Sequence, residues 1–136
     1  MFELIHEFAV LGIAFFMLAL ATIWYSPMVF GKKWMQEVKI TPEMIEAAEA
    51  DAWRHMVLTF ISYVFMLSLL ALLVVFAPKI SLTPVQAAAI LSVFVVATFI
   101  PATLFEGKTL RYFLIQSGFF VLFIMLGTLM LQYWPW

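Results

Sequence analysis

The sequence predicts an all-α integral membrane protein with four transmembrane helices in an antiparallel bundle. Of its 136 residues, 66% are hydrophobic and only 11% are charged, whereas a soluble domain has about 25% charged residues. Four segments that contain no Asp, Glu, Lys or Arg are each at least 23 residues long, and a spanning helix needs about 20. These segments are Phe8–Gly31, Met56–Pro78, Ile80–Phe105 and Tyr112–Trp136. We expect a single transmembrane domain over 1–136, with no soluble catalytic domain.

The first span, about Leu4–Tyr25, ends in a boundary segment, Trp24–Met35, where aromatic residues meet charge. Trp and Tyr favour the membrane–water boundary because each has an apolar body and one polar tip. Pro27 lacks an N–H and should end the helix, and Gly31 permits a backbone turn. The ordinary interpretation is a helix end with membrane anchors; the alternative is one edge of a ligand or partner site.

The only sizeable aqueous segment is 31–55. The side chains of Trp34, Met35 and Val38 fall on one helical face, which predicts a short cytoplasmic helix in the membrane plane. Thr41 followed by Pro42 then predicts the start of a second helix, which we expect to continue into the second span. Its acidic residues are interpreted as a solvated face, with a docking surface as the alternative. They are Glu43, Glu46, Glu49 and Asp51.

The later spans are expected at about Met56–Ala77, Val85–Phe105 and Tyr112–Tyr133. Pro101 lies inside the third of the four spans and cannot donate to the carbonyl of Ala97. We therefore expect a kink near the end of that span.

The basic residues predict the orientation, because cytoplasmic loops carry an excess of Lys and Arg. Six of the seven lie in the first and third loops, and only Lys79 lies on the other side. This bias predicts that loops 1 and 3 are cytoplasmic and that both termini are outside. The six are Lys32, Lys33, Lys39, Arg54, Lys108 and Arg111.

Few residues in the sequence could take part in catalysis or bind a metal ion or cofactor. There is no cysteine, and His6 and His55 are predicted at opposite membrane faces, too far apart to share a metal ion or a haem. No charged residue lies inside a span, which argues against a proton-coupled pump. No nucleotide, metal or nucleophile motif is present. We expect no enzyme activity, no metal, no cofactor and no nucleic-acid partner.

Uncharged polar residues concentrate towards the predicted cytoplasmic ends of the spans. Hydrogen bonding between helices explains them without a ligand; the sharper hypothesis is a small polar pocket open to the cytoplasm. Glu106, at the rim, is expected to find a donor in the boundary segment, because an unpaired carboxylate beside hydrocarbon is costly. The candidate cluster comprises Trp24, Tyr25, Ser26, Lys32, Lys33, Trp34, Thr59, Ser62, Glu106, Arg111 and Gln116.

Small residues mark candidate positions for close helix packing, because they let helix backbones approach. Two of them, Ala88 and Ser92, lie four residues apart in the third span. The positions are Gly12, Ala88, Ser92, Gly118 and Gly127.

Two signatures then resemble a known family. The first is Trp24-Tyr25-Ser26-Pro27 with Phe30-Gly31-Lys32-Lys33-Trp34-Met35; the second is Leu104-Phe105-Glu106-Gly107-Lys108 with Arg111 and Leu114–Phe119. Both are similar to those of the small bacterial membrane proteins grouped as domain of unknown function 1761. The resemblance spans essentially the full length and implies a four-helix protein of the bacterial cytoplasmic membrane. It implies no activity.

Two functions remain open from the sequence. In the first, the chain acts without catalysis through assembly, as a homo-oligomer or as an accessory subunit of a membrane complex. In the second, the candidate cluster serves a carrier or pore for a small molecule or a lipid. The expected partners are the lipid bilayer and a second membrane protein, which can be another copy of the chain.

Overall fold

A computed structural model describes residues 2–135, with side chains from residue 7 onwards. Every regular element in that range is helical. The helices are α1 (Phe2–Trp24), α2 (Gly31–Glu37), α3 (Pro42–Ala50), α4 (Ala52–Phe76), a short 3₁₀ helix (Ala77–Ile80), α5 (Pro84–Phe105) and α6 (Leu110–Gln132).

Four of these helical segments are long and apolar enough to cross a membrane, which confirms the predicted number of spans. They are Glu7–Trp24, Ala52–Ile80, Pro84–Phe105 and Leu110–Gln132. The chain is thus a multi-pass membrane protein by length and composition. α4 begins four residues before its predicted start at Met56, because a helix continues into water where charged side chains such as Arg54 are solvated.

Three helices start on a threonine that accepts a hydrogen bond from the backbone. Thr41 accepts from Met44 N at the start of α3, and Thr109 accepts from Tyr112 N at the start of α6. Thr83 completes a capping box with Gln86, whose side chain accepts from the backbone N–H of Thr83 at 2.9 Å. These caps satisfy N–H groups that have no helical partner.

Three helical segments end in the same left-handed closure. Gly107 (φ +66°) follows α5, and Lys39 and Ser81 adopt positive φ after α2 and the 3₁₀ helix. In each, the next N–H returns to a carbonyl five residues earlier, as in Lys108 N to Thr103 O at 3.0 Å. This Schellman closure satisfies orphan carbonyls and stops the helix within one residue.

The predicted continuation of the second aqueous helix into α4 is wrong. Asp51 adopts a turn conformation (φ −110°, ψ 15°) and separates α3 from α4. None of the residues of α3 is buried, so tertiary packing does not hold its axis in line with the span.

The core is centred on α6, which contacts α1, α4 and α5. α6 has eight buried residues, including Phe119, Phe123 and Leu131, whereas α5 has four. On α1, one face is buried between Ala9 and Ala21. The start of α1 lies beside the end of α6, since a Cβ at Gly12 would be 3.7 Å from the Trp134 ring.

Two of the predicted packing glycines lie on α6 beside other helices. A Cβ at Gly127 would be 3.1 Å from Leu67, 3.3 Å from Leu70 and 3.5 Å from Met17, and a Cβ at Gly118 would be 3.5 Å from Trp24. Ala88 and Ser92 are buried on α5. These residues therefore serve packing within one chain.

We expect Gly127→Leu to destabilise the fold, because four carbon atoms must enter a space already closed by Leu67, Leu70 and Met17. Overpacking of this kind costs about 1–3 kcal/mol. Thermal unfolding in detergent micelles measures the effect. The control is Ala19→Leu, at an exposed position of α1. Equal melting temperatures for the two variants would contradict the packing described here.

Candidate functional site

The boundary segment folds back on the end of α1 through backbone hydrogen bonds. The carbonyl of Ser26 accepts from Val29 N at 3.1 Å and from Gly31 N at 2.8 Å, and Phe30 N donates to Trp24 O at 3.1 Å. The chain therefore reverses within six residues, and α2 starts beside the helix that precedes it.

Glycine is required at position 31 because this turn leaves no room for a side chain. A Cβ there would lie 2.3 Å from the carbonyl oxygen of Tyr25 and 2.6 Å from that of Ser26. Backbone atoms cannot move aside as the end of a flexible side chain can, so any other residue would open the turn.

Trp24 and Tyr25 both reach α6 from this turn. The indole Nε1 of Trp24 donates to the carbonyl oxygen of Ile115 at 3.2 Å. The hydroxyl of Tyr25 donates to Oε1 of Gln116, and Nε2 of Gln116 donates in turn to the hydroxyl of Tyr112 at 3.4 Å. A short polar chain thus links the end of α1 to the first turns of α6.

Tyr25 follows the last residue of the first span. Its burial, with smaller contributions from Tyr63 and Tyr112, raises the pKa of its hydroxyl above the ordinary value. The phenol therefore remains protonated at physiological pH and stays the donor to Gln116.

Aromatic rings enclose this polar chain. The Tyr25 ring meets Trp34 edge-on at 5.4 Å between centroids and lies 5.8 Å from Phe119. Phe119 is buried and also approaches Tyr63 at 6.3 Å. We call the group formed by Trp24, Tyr25, Trp34, Tyr63, Tyr112, Gln116 and Phe119 the aromatic–amide cluster. Tilted and edge-on pairs are the favoured arrangements and fix ring positions as well as adding burial.

The carboxylate of Glu37, on α2, forms the polar contacts at the outer side of the cluster. Its Oε2 accepts from Thr109 Oγ1 at 2.5 Å, and its Oε1 lies 4.0 Å from Nε of Arg111. Glu37 is 15% exposed, whereas Arg111 is 56% exposed. This contact holds α2 against the start of α6.

The expectation that Glu106 finds a donor in the boundary segment is wrong for the residues that the structure describes. Glu106 is exposed, and it forms neither a side-chain hydrogen bond nor an ion pair with any of them. The Schellman closure at Gly107 leaves its side chain in solvent, where it needs no donor. Arg111 pairs instead with Glu37.

The other candidate residues do not join the cluster. Ser26 Oγ donates to Ile23 O, and Thr59 Oγ1 donates to His55 O. Each hydroxyl therefore bonds a carbonyl three or four residues earlier and not another helix. Ser62 is exposed on α4, and Lys32 and Lys33 are exposed on α2. The structure therefore gathers Trp24, Tyr25, Trp34 and Gln116 from the predicted set, with Arg111 at the edge.

One member of the cluster has an unmet hydrogen bond. The indole Nε1 of Trp34 is buried and has no partner among the described residues. Thr128 Oγ1 and Gln132 Oε1, one turn apart on α6, are also buried without a partner there. Within residues 7–135, no three His, Asp or Glu side chains lie close enough to hold a metal ion. The side chain of His6 falls outside the described residues.

The sequence model of one family, described as a protein of unknown function (DUF1761), matches residues 8–131. The chain belongs to the DUF1761 family. This match confirms the resemblance carried by the two signatures. Searches of curated proteins and of solved structures give no match.

In this DUF1761 member, the candidate set predicted from the sequence missed Glu37, Tyr63, Thr109, Tyr112 and Phe119. Two signals were present. Tyr63 lies four residues after Thr59 and shares its helical face, and Phe119 lies three residues after Gln116. Nothing in the local sequence distinguishes Glu37 from the solvated acids of α3, because its partner Thr109 is 72 residues away.

We expect Gly31→Ala to destabilise the protein by about 1–3 kcal/mol, since its Cβ meets backbone atoms that cannot yield. Gly12→Ala is the matched control: its Cβ would be in ordinary contact at 3.7 Å, and Ala in a helix interior gains about 0.5–1 kcal/mol over Gly. The two variants should therefore shift the melting temperature in opposite directions. A Gly31→Ala protein as stable as the wild type would refute the close approach.

A double-mutant cycle tests the Tyr25–Gln116 hydrogen bond. We expect Tyr25→Phe and Gln116→Leu to show a coupling free energy of about 0.6 kcal/mol, the average for hydrogen bonds between membrane helices, and at most about 1.7 kcal/mol. Chemical unfolding in mixed micelles provides the measurement. Pairing Tyr25→Phe with Ser68→Ala should give no coupling, because Ser68 bonds the carbonyl of Val64 in its own helix. Coupling of similar size in both cycles would contradict a direct bond.

Proposed function

We propose that this protein acts without catalysis, through assembly in the membrane, and that a second copy of the chain packs on the exposed face of α5. The observation that supports this proposal is a row of four exposed residues, spaced four apart, on that helix. They are Ala89, Val93, Ala97 and Pro101. Residues at this spacing form one ridge along a helix.

The row is suited to close contact between helices. Two of its four residues are alanines, and the larger exposed side chains of Ile90 and Phe94 stand beside it. Burial of apolar surface gives little drive for association in lipid, so helices associate where small residues let backbones approach. Ala88 and Ser92, about 100° around α5 from the row, are buried within the chain, whereas the row itself is exposed and left for another helix.

A backbone carbonyl on the same row adds a second reason. Pro101 has no N–H and cannot donate to Ala97 O, and no described side chain donates to that oxygen. Within a bilayer, a carbonyl that lacks its helical donor is unfavourable next to lipid. A second helix over the row shields this oxygen or supplies a donor.

The contacts around Gln116 favour assembly over the carrier or pore that the sequence left open. A pore would need Thr59, Ser62 and Gln116 on one surface. Gln116 is instead bonded to two tyrosines, Thr59 bonds its own helix, and Ser62 faces outwards. Gln116 fits the interpretation in which polar groups join parts of the bundle, and Thr59 and Ser62 form no polar surface with it.

The proposed setting is the bacterial cytoplasmic membrane, with α1, α4, α5 and α6 antiparallel in chain order. The approach of Gly12 to Trp134 and of Trp24 to Gly118 supports opposite directions for α1 and α6. The excess of Lys and Arg in loops 1 and 3 supports a cytoplasmic aromatic–amide cluster, with both termini outside.

Single cysteines test the assembly, since the natural chain has none. We expect Ala97→Cys to form disulfide-linked dimers in native membranes after mild oxidation, because the row brings the two copies of this position together. Ala19→Cys, an exposed alanine on α1, serves as the matched control and should stay monomeric. Equal dimer yields for the two variants, or none for Ala97→Cys, would overturn assembly through α5.

A further inference from the structure

A second unpartnered surface lies at the start of the second span, where α2, α3 and α4 meet. It is an open groove of about 540 Å³, here called the α3 groove. Its apolar lining comes from Trp34, Ile40, Met44, Ile45, Ala48 and Met56. The volume falls within the range of sites that hold small ligands.

The groove is continuous with the lipid-facing surface of α4. Met56 lines the groove, and it is followed on α4 by the exposed Val57, Leu58 and Ile61. These three residues belong to the charge-free segment that begins at Met56, after the solvated Arg54, and so face hydrocarbon. The groove therefore opens at the depth where acyl chains begin, and Trp53, 70% exposed, lies at the same level.

An occupant is needed because the groove side of α3 is apolar and uncovered. Met44 and Ile45 are both exposed, and α3 has no buried residue. Apolar surface left in water is unfavourable by about 25 cal/mol per Å². An acyl chain entering from the bilayer along α4 would cover both side chains without leaving its own apolar surroundings.

The polar lining indicates the headgroup. Glu49 and His55 are the two polar residues of the groove, and the cations Lys39 and Arg54 directly precede the lining residues Ile40 and His55. Acidic and basic residues thus occur within or next to the lining. A headgroup that carries both a phosphate and an ammonium group complements both signs, whereas a purely anionic headgroup would face the Glu49 carboxylate unpaired.

We propose that the α3 groove binds one acyl chain of a zwitterionic phospholipid, with the headgroup between Glu49 and the neighbouring basic residues. The site involves α2, α3 and α4, and it is independent of the proposed contact on α5. It would hold the otherwise unpacked α3 against the membrane surface and so fix the position of the first loop.

Native mass spectrometry of the full chain in detergent, titrated with phosphatidylethanolamine, tests this site. We expect the wild type to retain one phosphatidylethanolamine and Ala48→Trp, which fills the groove, to bind it at least tenfold more weakly. Ala47→Trp is the matched control: Ala47 is also exposed on α3 but does not line the groove. Its affinity should equal that of the wild type.

Three results would overturn the proposal: no retained lipid in the wild type, equal affinity for Ala48→Trp and wild type, or equal loss in both tryptophan variants. Phosphatidylglycerol at the same chain length should bind more weakly than phosphatidylethanolamine; equal binding would refute the headgroup assignment. Should Ala48→Trp fail to fold, Ile45→Trp fills the same groove and takes its place. Cross-linking of a photoreactive residue at 48 to a protein rather than to lipid would also contradict an acyl-chain occupant.

Discussion

The backbone of Gly31 lies against the carbonyl groups of Tyr25 and Ser26, closer than any side chain allows. This approach lets Gly31 N–H bond Ser26 O and reverses the chain after α1. The edge-on contact of Tyr25 with Trp34 and the hydrogen bond from Thr109 to Glu37 both require that reversal. A residue without a side chain thus determines whether α2 can reach α6 at all.

Side-chain hydrogen bonds between distant parts of the described chain are concentrated at this end of the bundle. All three join residues 24–37 to residues 109–116. Most serine and threonine hydroxyls inside the helices return to a carbonyl three or four residues earlier, as Ser92 does to Ala88 O, and so bind no other helix. Specific alignment of the helices therefore comes from the aromatic–amide cluster, and the rest of the bundle depends on apolar packing against α6.

Much of the fold was predictable because its determinants are local. Segments without charge predicted the spans, and Thr41 followed by Pro42 predicted the start of α3. The candidate site was predictable only in part. Trp24, Tyr25 and Trp34 belong to one sequence signature, but Glu37 was missed and Glu106 was wrongly paired. Which acid meets the third loop depends on the reversal at Gly31 and on the left-handed closure after α5, and neither is visible as a pairing in the sequence.

Of the two surfaces proposed for binding, the row on α5 lies away from this cluster, whereas the α3 groove adjoins it through Trp34, which lines the groove. α6 is covered on several sides by other helices, whereas α5, packed chiefly against α6, leaves the row uncovered. α3 is separated from α4 by the turn at Asp51 and has no buried residue. A rigid cluster formed by α1, α2 and α6 can therefore keep its geometry while α5 meets another helix and α3 meets lipid. The two surfaces differ in chemistry: the row on α5 has two alanines and a carbonyl that Pro101 cannot bond, and the α3 groove has an apolar lining with Glu49 and His55.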